Sequence, residues 1–162
     1  MASDNFDIQI RAATPDDAPA IATVLVESFL EYKAAYTAEA FAATTPTSDQ
    51  IRSRFAEGPV WVAVRDGVIL GTVAAVARGT ALYIRSMAVL PMARGLKLGA
   101  LLLNQVEAFA ATTGHQRLIL STTPFLTRAI RLYEQMGFRR SLEGPDDLYG
   151  TPLWTMEKDA KT

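Results

Sequence analysis

The chain predicts an α/β (α+β) fold with a mixed, mostly antiparallel central sheet flanked by helices, and three stretches carry that expectation. Leu82 to Val89 is an apolar, β-branched run without a breaker, the pattern of a buried strand. Pro91 ends it, having no amide hydrogen for a sheet ladder, and a loop with two glycines leads into apolar residues at Leu98, Leu102, Val106 and Phe109, a helical spacing that closes at Gly114. Upstream, Val60–Arg65 and Val68–Arg78 read as two strands joined by Asp66-Gly67, a strong hairpin dipeptide.

The remaining elements follow in order. Asp7 to Ala12 alternates Ile8, Ile10 and Ala12 with polar neighbours, as an edge or outer strand does. Thr14-Pro15-Asp16-Asp17 starts a helix, with Thr14 as cap, Pro15 at the first position and acids in the first turn; Ile21, Leu25 (or Val24) and Phe29 form its stripe up to about Leu30. Glu31 to Thr47 loosens into small residues and aromatics, a short second helix or a mobile segment, and Asp49–Glu57 is expected to be helical up to Gly58-Pro59. After the Gly79-Thr80 turn and the Leu82 strand with its helix, Arg117–Ser121 is a short strand. Thr122/Thr123-Pro124 opens another helix, whose stripe Phe125, Ala129, Leu132 and Met136 is expected to face the core and whose stop is Gly137. Phe138–Leu142 and Leu153–Glu157 close the sheet across an irregular Glu143–Pro152 connection.

Composition narrows the chemistry. At 162 residues and 49% hydrophobic content, one domain spanning residues 1–162 is expected, with no room for a linker. A formal charge of −1 gives no footprint for nucleic acid or an anionic membrane. The absence of cysteine removes disulfides, thiolate metal sites and a thiol nucleophile, and the single histidine, His115, cannot build a metal cluster. The amino-terminal MASDNFDIQIR lacks the cationic and apolar regions of a leader, so a cytoplasmic protein is expected. The strand, glycine loop and helix meet where free N–H groups and the positive end of a helix dipole favour an anion, and neither a Walker loop nor G-x-G-x-x-G accounts for it.

The residues Val89–Gly99, V-x-P-x-x-R-G-x-x-x-G, resemble the signature of the GNAT superfamily of acyl-CoA-dependent N-acyltransferases. The run A-I-R-L-Y-E-Q-M-G-F, Ala129–Phe138, is similar to the A-x-x-x-Y-x-x-x-G-F pattern of the same family. The two motifs frame the central half of the chain, and the order β-α-α-β-β-β-α-β-α-β fits the family's fold; Lys97 stands where the loop pattern has its first glycine.

The resemblance implies an acetyl-CoA-dependent N-acetyltransferase working through a ternary complex, without metal, on a small-molecule amine or a peptide or protein amine. It implies that the amides of Arg94, Gly95, Leu96, Lys97, Leu98, Gly99 and Ala100 hold the coenzyme A pyrophosphate. Met87, Ala88 and Val89 would pair with the pantetheine arm, with Ala129, Leu132 and Tyr133 beside it. Val89 is then the oxyanion donor through its amide, and Tyr133 the general acid or hydrogen-bond donor at the sulfur, its alternative being a tyrosine on a helix stripe with Leu126 and Ile130. Glu27 and Glu31 are the candidate bases, against the alternatives of solvated carboxylates and a water-relayed proton. Arg128 and Arg131 touch the phosphates or form a solvated face; Phe29, Tyr32 and Tyr36 line an acceptor pocket or belong to the core. Acceptor specificity is expected in Glu27–Thr47 and Glu143–Pro152; the oligomeric state stays open, although closing strands in this fold often pair between subunits, as in a homodimer. The rival is a non-catalytic acyl-CoA-binding regulatory module of the same fold.

Overall fold

The computed structural model describes residues 7–160, so the first six residues of the amino-terminal stretch and the last two of the chain lie outside the described residues. Seven strands form one sheet in the order β1-β2-β3-β4-β5-β9-β6. They are β1 (Gln9–Ala12), β2 (Val60–Arg65), β3 (Val68–Arg78), β4 (Ala81–Val89), β5 (Arg117–Thr122), β6 (Arg139–Ser141) and β9 (Trp154–Asp159). All neighbours are antiparallel except β4 and β5, which run parallel and are joined by the crossover helix α4 (Leu98–Thr113). β7 (Asp147–Leu148) and β8 (Thr151–Pro152) make a separate two-stranded ribbon.

Local chemistry explains most boundaries. Asp66 and Gly67 both adopt positive φ, 51° and 77°, as a two-residue turn between right-twisted strands requires, and Arg65 faces Val68 across it. β3 is buried on consecutive residues from Leu70 to Ala75, so both of its faces are covered; α1 (Ala18–Phe29) and α4 both pack on it. α4 buries Leu98, Leu102, Leu103, Val106 and Ala110, each large side chain worth about 1.5–3 kcal/mol. It stops at Gly114, which takes the left-handed conformation at φ 74°.

Several elements depart from the sequence expectation. Pro15–Asp17 is a 3-10 turn and α1 begins at Ala18. The segment after α1 continues as a 3-10 turn, Leu30–Ala35, before α2 (Ala38–Thr44), capped by the Thr37 hydroxyl, which accepts from the Ala40 amide. α3 is shorter than expected, Ser48–Arg54, and the β7–β8 ribbon adds to the expected order. α5 spans Thr127–Gln135 and does not begin at Thr122 or Thr123: Thr122 is still paired in β5 with Trp154, and the Leu126 amide closes a turn on the Thr123 carbonyl. The stripe of α5 also turns out differently. Ile130 and Tyr133 enter the core, whereas Ala129, Leu132 and Met136 stay half-buried.

The two segments expected to carry specificity meet in space. The Thr37 amide donates to Thr151 Oγ1 at 2.9 Å and the Thr37 hydroxyl to the Tyr149 carbonyl at 2.8 Å, tying the start of α2 to the ribbon. Among the described residues no helix is long and apolar enough to cross a membrane.

The start of α1 rests on an ion pair. Arg11 donates through both terminal nitrogens to the Asp17 carboxylate, at 2.8 and 3.0 Å, and the same carboxylate accepts from the Thr14 amide at 2.8 Å. The Arg11 hydrogen bonds, outweighing desolvation and assisted by Thr14, pull the Asp17 pKa down to about 2. Because the unfolded value is near 3.9, this group favours folding fully above about pH 4 and loses that contribution as pH falls through about 2. Asp17→Asn is therefore expected to lower the melting temperature at pH 7 and to narrow the gap to wild type at pH 2; a gap that stays constant in thermal unfolding across this range would remove the linkage.

Candidate active site

β4 and β5 pair only between Ala81–Ile84 and Arg117–Leu120; beyond that, β4 from Arg85 to Val89 has no partner on the β5 side. A bulge accompanies the separation. Ala74 faces Arg85 and Thr72 faces Ala88, so Val73 stands opposite both Ser86 and Met87, and Ser86 takes positive φ, 55°. The Leu90 amide donates to the Leu70 carbonyl at 2.9 Å, and alternation along an antiparallel ladder therefore points the Val89 backbone away from β3, into the gap. The Ser28 hydroxyl, carried on α1, donates to the Val89 carbonyl at 3.0 Å. The Val89 N–H faces the gap beside it.

The gap opens into a cleft of about 880 Å³. One wall is the start of α4. Lys97, its cap, sits in the left-handed conformation at φ 61° and ψ 29°, and Gly95 has φ 96° with open space where a Cβ would stand. Lys97 thus adopts the conformation that the expected glycine would supply, at a cost of about 1–2 kcal/mol. Among the described residues the amides of Gly95, Lys97, Leu98, Gly99 and Ala100 find no protein acceptor, whereas Leu96 donates to the Ala93 carbonyl and Leu101 to that of Lys97. Free amides at a helix start with its positive dipole end form a cradle for an anion. Gly99 also lets α5 approach: a Cβ would lie 2.6 Å from Leu132 Cδ2, the end of a side chain that would have to shift.

The rest of the lining comes from α5, which packs beside the start of α4, and from the aromatics of the amino-terminal half. Leu126, Ala129, Leu132, Tyr133 and Met136 line the cleft, as do Phe29, Tyr32 and Tyr36. Tyr36 packs edge-on against Phe125 with centroids 4.9 Å apart. Tyr133 is 7% exposed, and burial, with smaller contributions from Tyr36 and Tyr83, pushes its phenol well above the ordinary range. Leu148 and Leu153, from the ribbon and the segment after it, complete the cleft from the carboxy-terminal side.

Of the residues singled out from sequence, Met87, Ala88, Val89, Arg94, Gly95, Lys97, Leu98, Gly99, Ala100, Ala129, Leu132 and Tyr133 are brought together around this cleft, with Arg128 and Arg131. Leu96 is not; it packs half-buried against the core. Neither Glu27 nor Glu31 lines the cleft: Glu27 is exposed on α1, and Glu31 is committed to an ion pair with Arg94. His115 accepts or donates to the Thr113 hydroxyl at 2.7 Å, away from the site. Sequence reasoning missed Ser28, whose signal was a polar residue on the apolar stripe of α1, and Arg54 and Arg85, which also face the cleft. The cleft carries the side chains Arg54, Arg78, Arg85, Arg94, Lys97, Arg128 and Arg131 and, among the described residues, no carboxylate.

Comparison with known proteins agrees with this architecture. The chain is 36% identical over 88 residues to N-acetylaspartate synthetase of Danio rerio, covering 53% of this chain and 31% of that protein. It is 38% identical over 58 residues to an uncharacterized N-acetyltransferase of Schizosaccharomyces pombe, covering 36% and 32%. The chain thus spans about a third of the length of the curated relatives it matches. In three dimensions it superposes on a GNAT-family acetyltransferase of Staphylococcus aureus with a TM-score of 0.79, 17% identity and coverage of 95% and 99% of the two chains. The PaiA N-acetyltransferase of Thermoplasma acidophilum, solved with coenzyme A, gives a TM-score of 0.79 at 18% identity, covering 94% and 98%. The separated β4–β5 pair, the amide cradle and the helix bearing Tyr133 all fall within residues 21–138, which match the model of the acetyltransferase (GNAT) family, and the chain belongs to that family.

Proposed function

We propose that the chain is an N-acetyltransferase that transfers acetyl from acetyl-CoA to a primary amine by direct attack in a ternary complex. The observation that carries this reading is the convergence on one cleft of the free amides at the start of α4, the outward-facing Val89 backbone and the buried Tyr133 phenol. The cradle fits a coenzyme: its donors are unpaired, Gly95 leaves its space open, and Lys97, Arg128 and Arg131 form no ion pair among the described residues. Bound there, acetyl-CoA supplies an acyl thioester activated toward amines.

Each protein group then has a physical task. The amides of Gly95 and Lys97–Ala100 take the diphosphate charge, and the unpaired β4 edge from Met87 to Val89 aligns the arm of the coenzyme. The Val89 N–H stabilises the charge that develops on the acyl oxygen, and the Ser28 hydroxyl fixes that peptide by holding its carbonyl. Tyr133 keeps its proton throughout the physiological range because burial raises its pKa. Passing that proton fully to a thiolate of pKa near 8.5 is uphill by at least about 2 kcal/mol, so Tyr133 serves the departing sulfur as a hydrogen-bond donor.

The amine's proton leaves by water. An ammonium of pKa near 10.4 is only about 0.1% neutral at pH 7.4, a handicap of about 4 kcal/mol, and no carboxylate among the described residues lines the cleft to remove it. Glu27 and Glu31 stand outside it, which supports a proton relayed by water over transfer to either carboxylate.

The first test is thermal unfolding with acetyl-CoA. At 100 times its dissociation constant a ligand stabilises by about 2.7 kcal/mol, an upward shift of about 5–11 °C at this size; no shift at millimolar acetyl-CoA would overturn the reading, and a shift without thiol release for any amine would identify the non-catalytic acyl-CoA-binding module. Tyr133→Phe should slow turnover about 100-fold while keeping the acetyl-CoA shift, and unaltered turnover would take Tyr133 out of the mechanism. The pH profile of kcat/KM should rise tenfold per unit up to the pKa of the amine, in wild type and in Glu27→Gln and Glu31→Gln alike. A plateau near neutrality that one variant abolishes would instead assign the base to that carboxylate.

A further inference from the structure

Apart from Arg78, which lies over the Tyr83 ring, the cations of the cleft divide into two groups. Arg94 and Lys97 belong to the loop of the amide cradle, and Arg128 and Arg131 to α5, whose Leu132 packs on Gly99. Arg54 and Arg85 lie elsewhere. Arg54 is the last residue of α3, and its Nη1 donates to Ser86 Oγ at 3.1 Å, on the bulge of β4 three residues before Val89. Arg85, the residue before that bulge, donates from Nη2 to Glu57 at 2.9 Å, and its Nε is buried without a hydrogen-bond partner. Arg54 forms no ion pair among the described residues; Glu39 and Glu57 border the groove on its far side, and Glu57 is engaged by Arg85.

Of these two guanidinium groups only Arg85 has a carboxylate partner, which leaves the Arg54 charge without an ion pair, among the described residues, at a half-buried position in the cleft. Burial first, and the neighbouring Arg85 second, hold Arg54 below the ordinary guanidinium pKa, so the site would gain from an anion. Its place is set by β4: at about 3.3 Å per residue, Ser86 and Val89 are separated by about 10 Å, within reach of a small molecule whose amine approaches Val89. Phe29, Tyr32, Tyr36 and Leu153 line the same cleft, apolar surface for a short hydrocarbon span.

We propose that Arg54, assisted by Arg85, binds a carboxylate of the acceptor, so that the substrate is a small amine bearing a carboxylate. The inference rests on the N-acetyltransferase reading and deepens it. A guanidinium fork matches a carboxylate in two parallel hydrogen bonds, and the single uncompensated charge matches a monoanion better than a phosphate dianion. Arg54 is then a specificity-determining residue that takes no part in the acyl chemistry.

The test compares amines that differ only in the carboxylate: each L-α-amino acid against its carboxamide, and γ-aminobutyrate against butylamine, with phosphoethanolamine against ethanolamine as the phosphate arm. Thiol release with acetyl-CoA gives kcat and KM, and calorimetric titration of the same amines into the protein with coenzyme A present gives binding without turnover. The expected result is a preference of about 10- to 100-fold in kcat/KM for the carboxylated member of at least one pair. Arg54→Gln should collapse that ratio toward one, chiefly through KM, and Arg54→Lys should restore part of it. An unchanged acetyl-CoA melting shift in both variants verifies their folding. Equal use of both members of every pair, an equal loss for both in Arg54→Gln, or a preference for phosphoethanolamine alone would overturn the proposal. If no amine releases thiol, the acetyltransferase reading fails by itself, and the titration still decides here: carboxylated amines that bind wild type and lose affinity in Arg54→Gln support the site, and none binding overturns it.

Discussion

The constraint on which the rest of the structure depends is the loss of pairing between β4 and β5 after Ile84. Two parallel strands that stayed together would consume the backbone groups of Arg85–Val89 and close the cleft. Instead the bulge at Ser86 and Met87 re-aims β4, while β5 continues to Thr122 against β9 on its other side. Freed backbone groups are expensive when buried, about 1–3 kcal/mol each if left without a partner. One of them, the Val89 carbonyl, is satisfied by Ser28 from α1, and the Val89 N–H beside it remains available to a ligand. The opening is therefore built by strand pairing and maintained by a single polar side chain on an otherwise apolar helix face.

The second wall must hold α5 at a fixed distance from that edge. Lys158 on β9, 8% exposed, donates to Glu107 of α4 at 2.5 Å and to the Met136 carbonyl at the end of α5 at 2.6 Å. A buried charge pair of this kind costs desolvation when formed, but removing one partner would strand the other, typically at 3–5 kcal/mol. The bridge links sheet, crossover helix and α5, and so fixes the height at which Tyr133 meets the cleft. Gly99 allows the close lateral spacing, since a Cβ there would have to displace the Leu132 side chain.

Electrostatics is arranged by segregation. A net charge of −1 conceals a cleft whose charged side chains are all cationic among the described residues. The acids of this region stand behind the cationic rim: Glu31 on Arg94 and Glu57 on Arg85. Such pairs orient guanidinium groups without cancelling the field inside the cleft, where low dielectric surroundings strengthen it. The whole-chain charge is an average and says nothing about a pocket.

The amino-acid sequence by itself determined the elements made by local chemistry: the Asp66-Gly67 hairpin, the Leu82 strand, the glycine loop, the α4 stripe with its Gly114 stop, and the two motifs that resemble the family. These are legible because turn conformation and helical or strand periodicity depend on residues a few positions apart. Only the tertiary structure decided what depends on partners distant in the chain. The α5 stripe Ala129, Leu132 and Met136, read as core, borders the cleft, because periodicity reports an apolar face and not what it faces. Glu27 and Glu31, expected to flank the end of the first helix, do not line the cleft: Glu27 is exposed and Glu31 is paired with Arg94. Ser28 against Val89 and Arg54 against Ser86 join α1 and α3 to β4 across the fold, and no local pattern encodes such a pairing.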